Sequence, residues 1–126
     1  MLAKSEICAG IVLYNPDAEL LRENIASIIN QVECLVIYNN GSLNISDIRT
    51  DLFGDKRITV LGNGDNKGIA YALNRLCMWA MEHGFQWIIT LDQDSVSSEG
   101  LVNALSSYTD QEIAIVAPNI ICPELV

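Results

Sequence analysis

Two carboxylates one residue apart, Asp92 and Asp94, follow the apolar run Trp87-Ile88-Ile89-Thr90-Leu91 and precede Ser95. A strand ending in such a pair fixes the backbone direction, while the loop beyond it lets both carboxylates approach a hard cation that takes oxygen ligands. Mg2+ or Mn2+ suits that donor set, and a cation held there would carry the oxygens of a diphosphate. The charge distribution points the same way. The chain has seven Lys and Arg against sixteen Asp and Glu, for a formal net charge of -9. All seven bases lie in residues 1–75, and residues 76–126 hold seven carboxylates with no Lys or Arg. A phosphorylated ligand meeting that half needs a cation between them. The same balance argues against a nucleic-acid partner, whose backbone is held by Lys and Arg. The plainer readings are an acidic solvated surface and Asp side chains that bond nearby backbone in a turn.

The elements that must position the pair are legible as alternating apolar runs and amphipathic segments. Residues 7–13 form a continuous apolar stretch suited to a strand covered on both faces. Asn15-Pro16-Asp17 supplies an N-cap, a proline at the first helical position and an acid in the first turn, ahead of Leu21, Ile25, Ile28 and Ile29 at helical spacing. A second strand covers 34–38, closed by Asn39-Asn40-Gly41-Ser42, residues that tolerate tight left-handed turns. Residues 43–57 are polar and mixed with room for a short helix, and 58–61 give a third strand. Ile69, Leu73, Leu76, Cys77 and Ala80 mark one face of a further helix, with Gly84 as its stop. Residues 87–91 form a fourth strand, 98–107 a helix, and 113–117 a fifth strand before Pro118.

Buried strands alternating with helices imply parallel pairing, because parallel neighbours need crossover connections. The fold class is α/β, a mostly parallel open sheet with helices on both faces. Ligands on such sheets bind beyond the carboxyl ends of the strands, where Tyr14-Asn15, residues 39–42 and residues 92–95 all fall. A length of 126 residues with 50% hydrophobic content bounds a single domain, 1–126. No apolar run approaches the roughly 20 residues of a membrane-spanning helix, and the N-terminus has no secretory pattern, so a cytoplasmic location is expected. Cys8, Cys34, Cys77 and Cys122 stand apart among apolar neighbours without a CxxC pair, as buried reduced thiols do.

Four segments, in order, resemble family 2 glycosyltransferases of the GT-A fold. Residues 11–17, Ile-Val-Leu-Tyr-Asn-Pro-Asp, resemble the family's opening strand and turn, and Val36-Ile37-Tyr38-Asn39-Asn40-Gly41-Ser42 its second-strand signature. Asn66-Lys67-Gly68-Ile69-Ala70-Tyr71-Ala72-Leu73-Asn74 resembles the third segment, and Leu91-Asp92-Gln93-Asp94-Ser95 the metal motif. The wording of the last two is most similar to the rhamnosyltransferase-like branch. The resemblance implies an inverting, metal-dependent transfer of a sugar, such as rhamnose, from a dTDP- or UDP-linked donor to a glycan or other hydroxyl acceptor. It further implies donor binding by Tyr14, Asn15, Asn39, Asn40, Gly41, Ser42, Asn66, Gly68 and Asp92, with Tyr14 and Asn39 on the base, Asp92 on the ribose or sugar, and Mn2+ or Mg2+ on Asp94 and Asp92.

Two departures accompany the resemblance. Asn39 stands where the family usually has Asp, which keeps an acceptor, adds a donor and loses a charge at the base edge. No general base is assignable before Val126, and surface roles suit Glu99, Asp110, Glu112 and Glu124. The expectation is therefore the N-terminal, donor-binding part of a longer enzyme, which in full length could work at the inner face of a membrane. Other readings stay open. A haloacid dehalogenase-type phosphatase would use Asp92 as nucleophile and Asp94 as acid, although that motif normally opens its fold and no Lys follows Asp94. A non-catalytic nucleotide-binding or oligomerisation module is a further alternative. Gly62, Gly64 and Gly68 have the wrong spacing for a dinucleotide fingerprint.

Overall fold

The computed structural model describes residues 2–42, 46, 48–49, 52, 54–110 and 112–118. Four strands, β1 (Ile7–Leu13), β2 (Cys34–Asn39), β3 (Ile58–Leu61) and β4 (Trp87–Leu91), form one sheet in the order β3-β2-β1-β4. Every pairing is parallel, with Ile11 opposite Ile37 and Leu91, and Ile37 opposite Val60. The continuously described helices are α1 (Ala18–Ile28), α2 (Ile69–Glu82) and α3 (Leu101–Ser106), after a 3-10 turn at Lys4–Glu6, and residues 46, 48–49 and 52 are helical as well.

The alternation of side chains along a strand divides the core between two faces. Ile7, Ala9, Ile11 and Leu13 of β1 pack with Leu21, Ile25 and Ile28 of α1 and Val102 of α3. On the other face Val12, Val36, Tyr38 and Ile88 pack with Ala72, Leu73, Leu76 and Trp79 of α2. Gly10 lets α2 sit close to β1, because a Cβ there would lie 3.0 Å from Ile88 Cδ1 and 3.1 Å from Leu76 Cδ1. The α/β class with helices on both faces is thus observed. From β1 the chain moves to β2 and β3 on one side, then returns to β4 on the other, so the strand order reverses between β1 and β4. At such a switch point the connections leave in opposite directions and open a crevice at the carboxyl ends.

Several local expectations are corrected. Residues 113–117 form no strand. An apolar run becomes a strand only with a ladder partner, and this one turns at Ile113, whose N–H donates to Asp110 O at 3.3 Å, leaving Ile115 86% exposed. The cap of α1 is Asp17, not Asn15: its Oδ1 accepts from Leu20 N at 3.0 Å, while Asn15 takes a left-handed φ of 42°. Helix α3 starts at Leu101 rather than 98, behind Gly100. In α2 the buried positions are Ala72, Leu76 and Ala80, and Ile69 and Cys77 are exposed.

The thiols differ accordingly. Burial pushes Cys8 up to about 12, with Cys34 nearby adding to the shift. Cys34, half-buried, is raised to about 11 by desolvation and by Glu33. All three described cysteines are free, and Cys122 lies outside the described residues. No described helix is long and apolar enough to cross a membrane.

Candidate functional site

Beyond the carboxyl ends of β1 and β4 opens a cleft of about 660 Å³. Its walls bring together Tyr14, Asn40, Asn66, Gly68, Asp92 and Asp94 from four separate stretches of sequence. The apolar part of the lining comes from Val12, Leu91, and Ile69 and Leu73 of α2. The cleft therefore sits at the switch point, on the α2 side of the sheet. A smaller cavity of about 380 Å³ lies elsewhere, between Leu2, Trp87, Asp110 and Ile113, and includes none of the anticipated site residues.

Each wall is fixed by its own turn chemistry. The Asn40 side chain is buried, and its Oδ1 accepts from Lys67 N at 2.9 Å, tying the segment before α2 to the end of β2. Asn66 Oδ1 accepts from Gly68 N at 2.9 Å. Gly68 is the N-cap of α2 and has φ 86° and ψ 158°, a conformation open essentially to glycine alone. Tyr14 is 54% exposed, its ring edge facing Gly41. Asn15, Asn39, Gly41 and Ser42 stand behind the lining. Asn39 Oδ1 accepts from Gly41 N at 3.2 Å, and Gly41 O accepts from Asn15 N at 3.2 Å, so these residues shape the turn on which Tyr14 rests. The Ser42 hydroxyl is buried without a protein partner.

Both carboxylates are exposed, and neither makes a hydrogen bond or ion pair with another described side chain. Two unengaged hard-oxygen donors suit a small divalent cation, which commonly takes one or two carboxylates and completes its coordination with water and substrate phosphates. No cluster of three or more His, Cys, Asp or Glu able to hold a metal occurs among the described residues.

Comparison with known sequences now bears on this arrangement. The description "Glycosyl transferase family 2" matches residues 8–124. The chain belongs to glycosyl transferase family 2. It is similar to a dTDP-rhamnosyl transferase, RfbF, of Shigella flexneri, with 33% identity over 113 residues. That alignment covers 90% of this chain and 38% of the relative, so the chain spans well under half of that protein. No solved structure matches. The resemblance read from residues 11–17, 36–42, 66–74 and 91–95 is therefore that of a family member. In this family 2 chain the acidic motif follows β4, the last of the described strands, at one side of the sheet, rather than the opening strand that a phosphatase of the dehalogenase type would require.

Sequence reasoning missed the residues that hold the acidic loop of this family 2 domain. Gln93, between the two carboxylates, accepts from Tyr14 N through Oε1 at 2.9 Å and donates to Tyr14 O through Nε2 at 3.0 Å. Its amide mimics one rung of a ladder and bridges the crevice between the β1 and β4 ends. Asn24 of α1, fully buried, donates from Nδ2 to Asp92 O at 2.6 Å. The available signal was Asn24, Ser27 and Gln31, a polar stripe at helical spacing among Leu21, Ile25 and Ile28.

Proposed function

We propose that this chain is the donor-binding part of a glycosyltransferase that accepts a nucleoside-diphosphate sugar in the cleft at the β1/β4 switch point. The observation carrying the proposal is the shared wall, in which Tyr14, Asn66, Gly68 and both carboxylates face one volume. The donor is dTDP- or UDP-linked. The similarity to a dTDP-rhamnosyl transferase favours dTDP-rhamnose, and a glycan hydroxyl is the matching acceptor.

The division of labour follows from chemistry and position. Tyr14 offers an exposed aromatic edge and face for a base, and its main chain is immobilised by Gln93. Asp92 and Asp94 would hold Mg2+ or Mn2+, which when bound supplies the positive charge that a diphosphate needs beside an acidic half of the chain. Asp92 also stands where a carboxylate can accept from a ribose or sugar hydroxyl. Preorganised main chain lowers the ordering cost of binding, so the pinned backbone of loop 92–98 adds affinity to the contacts its two carboxylates make. The apolar wall of Val12, Ile69 and Leu73 excludes water from one side of the ligand.

Titration of the 126-residue chain with dTDP and UDP, with and without Mn2+, tests the reading. Micromolar binding that depends on the cation supports it. Equal and negligible binding in both conditions refutes it.

A further inference from the structure

Side chains of α1, and of Gln31 just beyond it, hold the segment 92–102 by its main chain. Asn24 Nδ2 donates to Asp92 O at 2.6 Å, and Ser27 Oγ accepts from Ser97 N at 2.9 Å. Gln31 Nε2 donates to Ser98 O at 2.8 Å, and Gln31 Oε1 accepts from Val102 N at 3.0 Å. The last of these satisfies one of the amides left over in the first turn of α3, whose own N-cap, Gly100, has no side chain to do so. The stripe is itself cross-linked: Ser27 Oγ donates to Asn24 O at 2.7 Å, and Gln31 Nε2 to Ser27 O at 2.8 Å.

A buried polar side chain on the apolar face of a helix is unfavourable unless its bonds repay desolvation. Asn24 is fully buried, and its Oδ1 has no partner. A leucine of similar size would suit the surrounding Leu21, Ile25 and Ile28 better for stability alone. The amide is explained by what its one bond fixes, the peptide carrying Asp92.

We propose that Asn24 is a positioning residue for the acidic pair, with Ser27 and Gln31 extending its hold along the loop, so that Asp92 and Asp94 present a preset backbone to a cation and diphosphate. The inference rests on the donor-binding reading for its consequence in affinity, whereas the hold itself is a property of the free chain.

The test uses Asn24→Leu, Ser27→Ala and Ser27→Thr in the full chain, with two readouts. Amide hydrogen exchange without ligand is expected to show Ser97 protected in the wild type. Exchange should be at least tenfold faster in Asn24→Leu and Ser27→Ala, near wild type in Ser27→Thr, which keeps the hydroxyl, and unchanged in α2. Titration with dTDP and Mn2+ is expected to show at least tenfold weaker binding for Asn24→Leu and Ser27→Ala, with recovery in Ser27→Thr. An unprotected Ser97 amide in the wild type overturns the proposal, as does wild-type affinity in a variant whose loop exchange has risen. If Asn24→Leu fails to fold, the Ser27 pair decides by the same criteria. If the wild type binds no nucleotide, the donor-binding reading fails, and loop exchange alone still judges the hold.

Discussion

Replacing Gly62 by alanine tests how tightly the β3 end is seated against the β2 end, and Gly84→Ala supplies the matched control. The two glycines have nearly equal dihedrals, φ 84° and 80°, so placing an L side chain there has a similar intrinsic cost, about 1–2 kcal/mol. They differ in what a Cβ would meet. At Gly84 nothing lies within 4 Å, whereas at Gly62 the Cβ would stand 2.7 Å from Asn39 O and 3.1 Å from Tyr38 Cζ. The Tyr38 ring is braced edge-on by Tyr71, with centroids 6.0 Å apart, and Asn39 O belongs to the strand end, so neither neighbour yields cheaply. Overpacking of this kind adds about 1–3 kcal/mol. Gly84→Ala should therefore lower unfolding free energy by about 1 kcal/mol and Gly62→Ala by about 3 kcal/mol, a gap of roughly thirtyfold in the folding constant. Urea denaturation followed by circular dichroism measures both. Because Asn39 precedes Asn40 of the cleft wall, nucleotide affinity should also fall in Gly62→Ala and hold in Gly84→Ala. A stability gap below about 0.5 kcal/mol between the variants would refute the close-approach reasoning.

Further outcomes are expected elsewhere. Asp94→Ala should abolish the Mn2+-dependent part of nucleotide binding while changing stability by about 0.5 kcal/mol or less, since the side chain is exposed and unpaired; calorimetric titration with parallel denaturation would show either part to be wrong. Gln93→Ala removes two half-exposed hydrogen bonds, for a loss of about 1 kcal/mol, and should weaken nucleotide binding several-fold with both carboxylates still in place. Hydrogen bonds from Arg57 hold Asp55 at about 2, below the ordinary carboxylate value of about 3.9, so this contact favours the folded state above pH 4 and is lost as pH falls from about 4 toward 2. Arg57→Gln should raise the Asp55 carboxyl toward its usual range by NMR titration, the bond from the main-chain N–H of residue 57 remaining, and should weaken that part of the acid profile. Cys77, exposed, should react with a thiol reagent at pH 8 in the folded chain, while Cys8, buried and raised to about 12, should wait for unfolding.

The strands were legible because each is a dense apolar run, and β1, β3 and β4 begin and end where the runs do. Helices α1 and α2 followed from spacing, yet their edges did not. Asn15, Pro16 and Asp17 are three successive start signals, and the choice among them was made by the left-handed turn at Asn15, which depends on Gly41 across the sheet. The run at 113–117 has the composition of a strand, but pairing is a tertiary property that no window of sequence contains. Local signatures named ten residues in advance, and six of them line the cleft. Asn24 was not among them, because a polar residue inside an amphipathic helix looks like a solvated one until the loop that it serves is in place. Gln93 escaped notice for a related reason: its partner, the Tyr14 peptide, is 79 residues away.

Asn24, Ser27 and Gln31 grip the acidic loop by its peptide groups, which has a consequence for variation. Val96, Ser98 and Glu99 can be exchanged for other side chains without touching the bonds to α1, because those bonds address atoms that every residue shares. Chemistry at the rim can thus be rewritten while its scaffold keeps its shape. Proline at position 97 or 102 is the exception, since it deletes the amide that the helix reads.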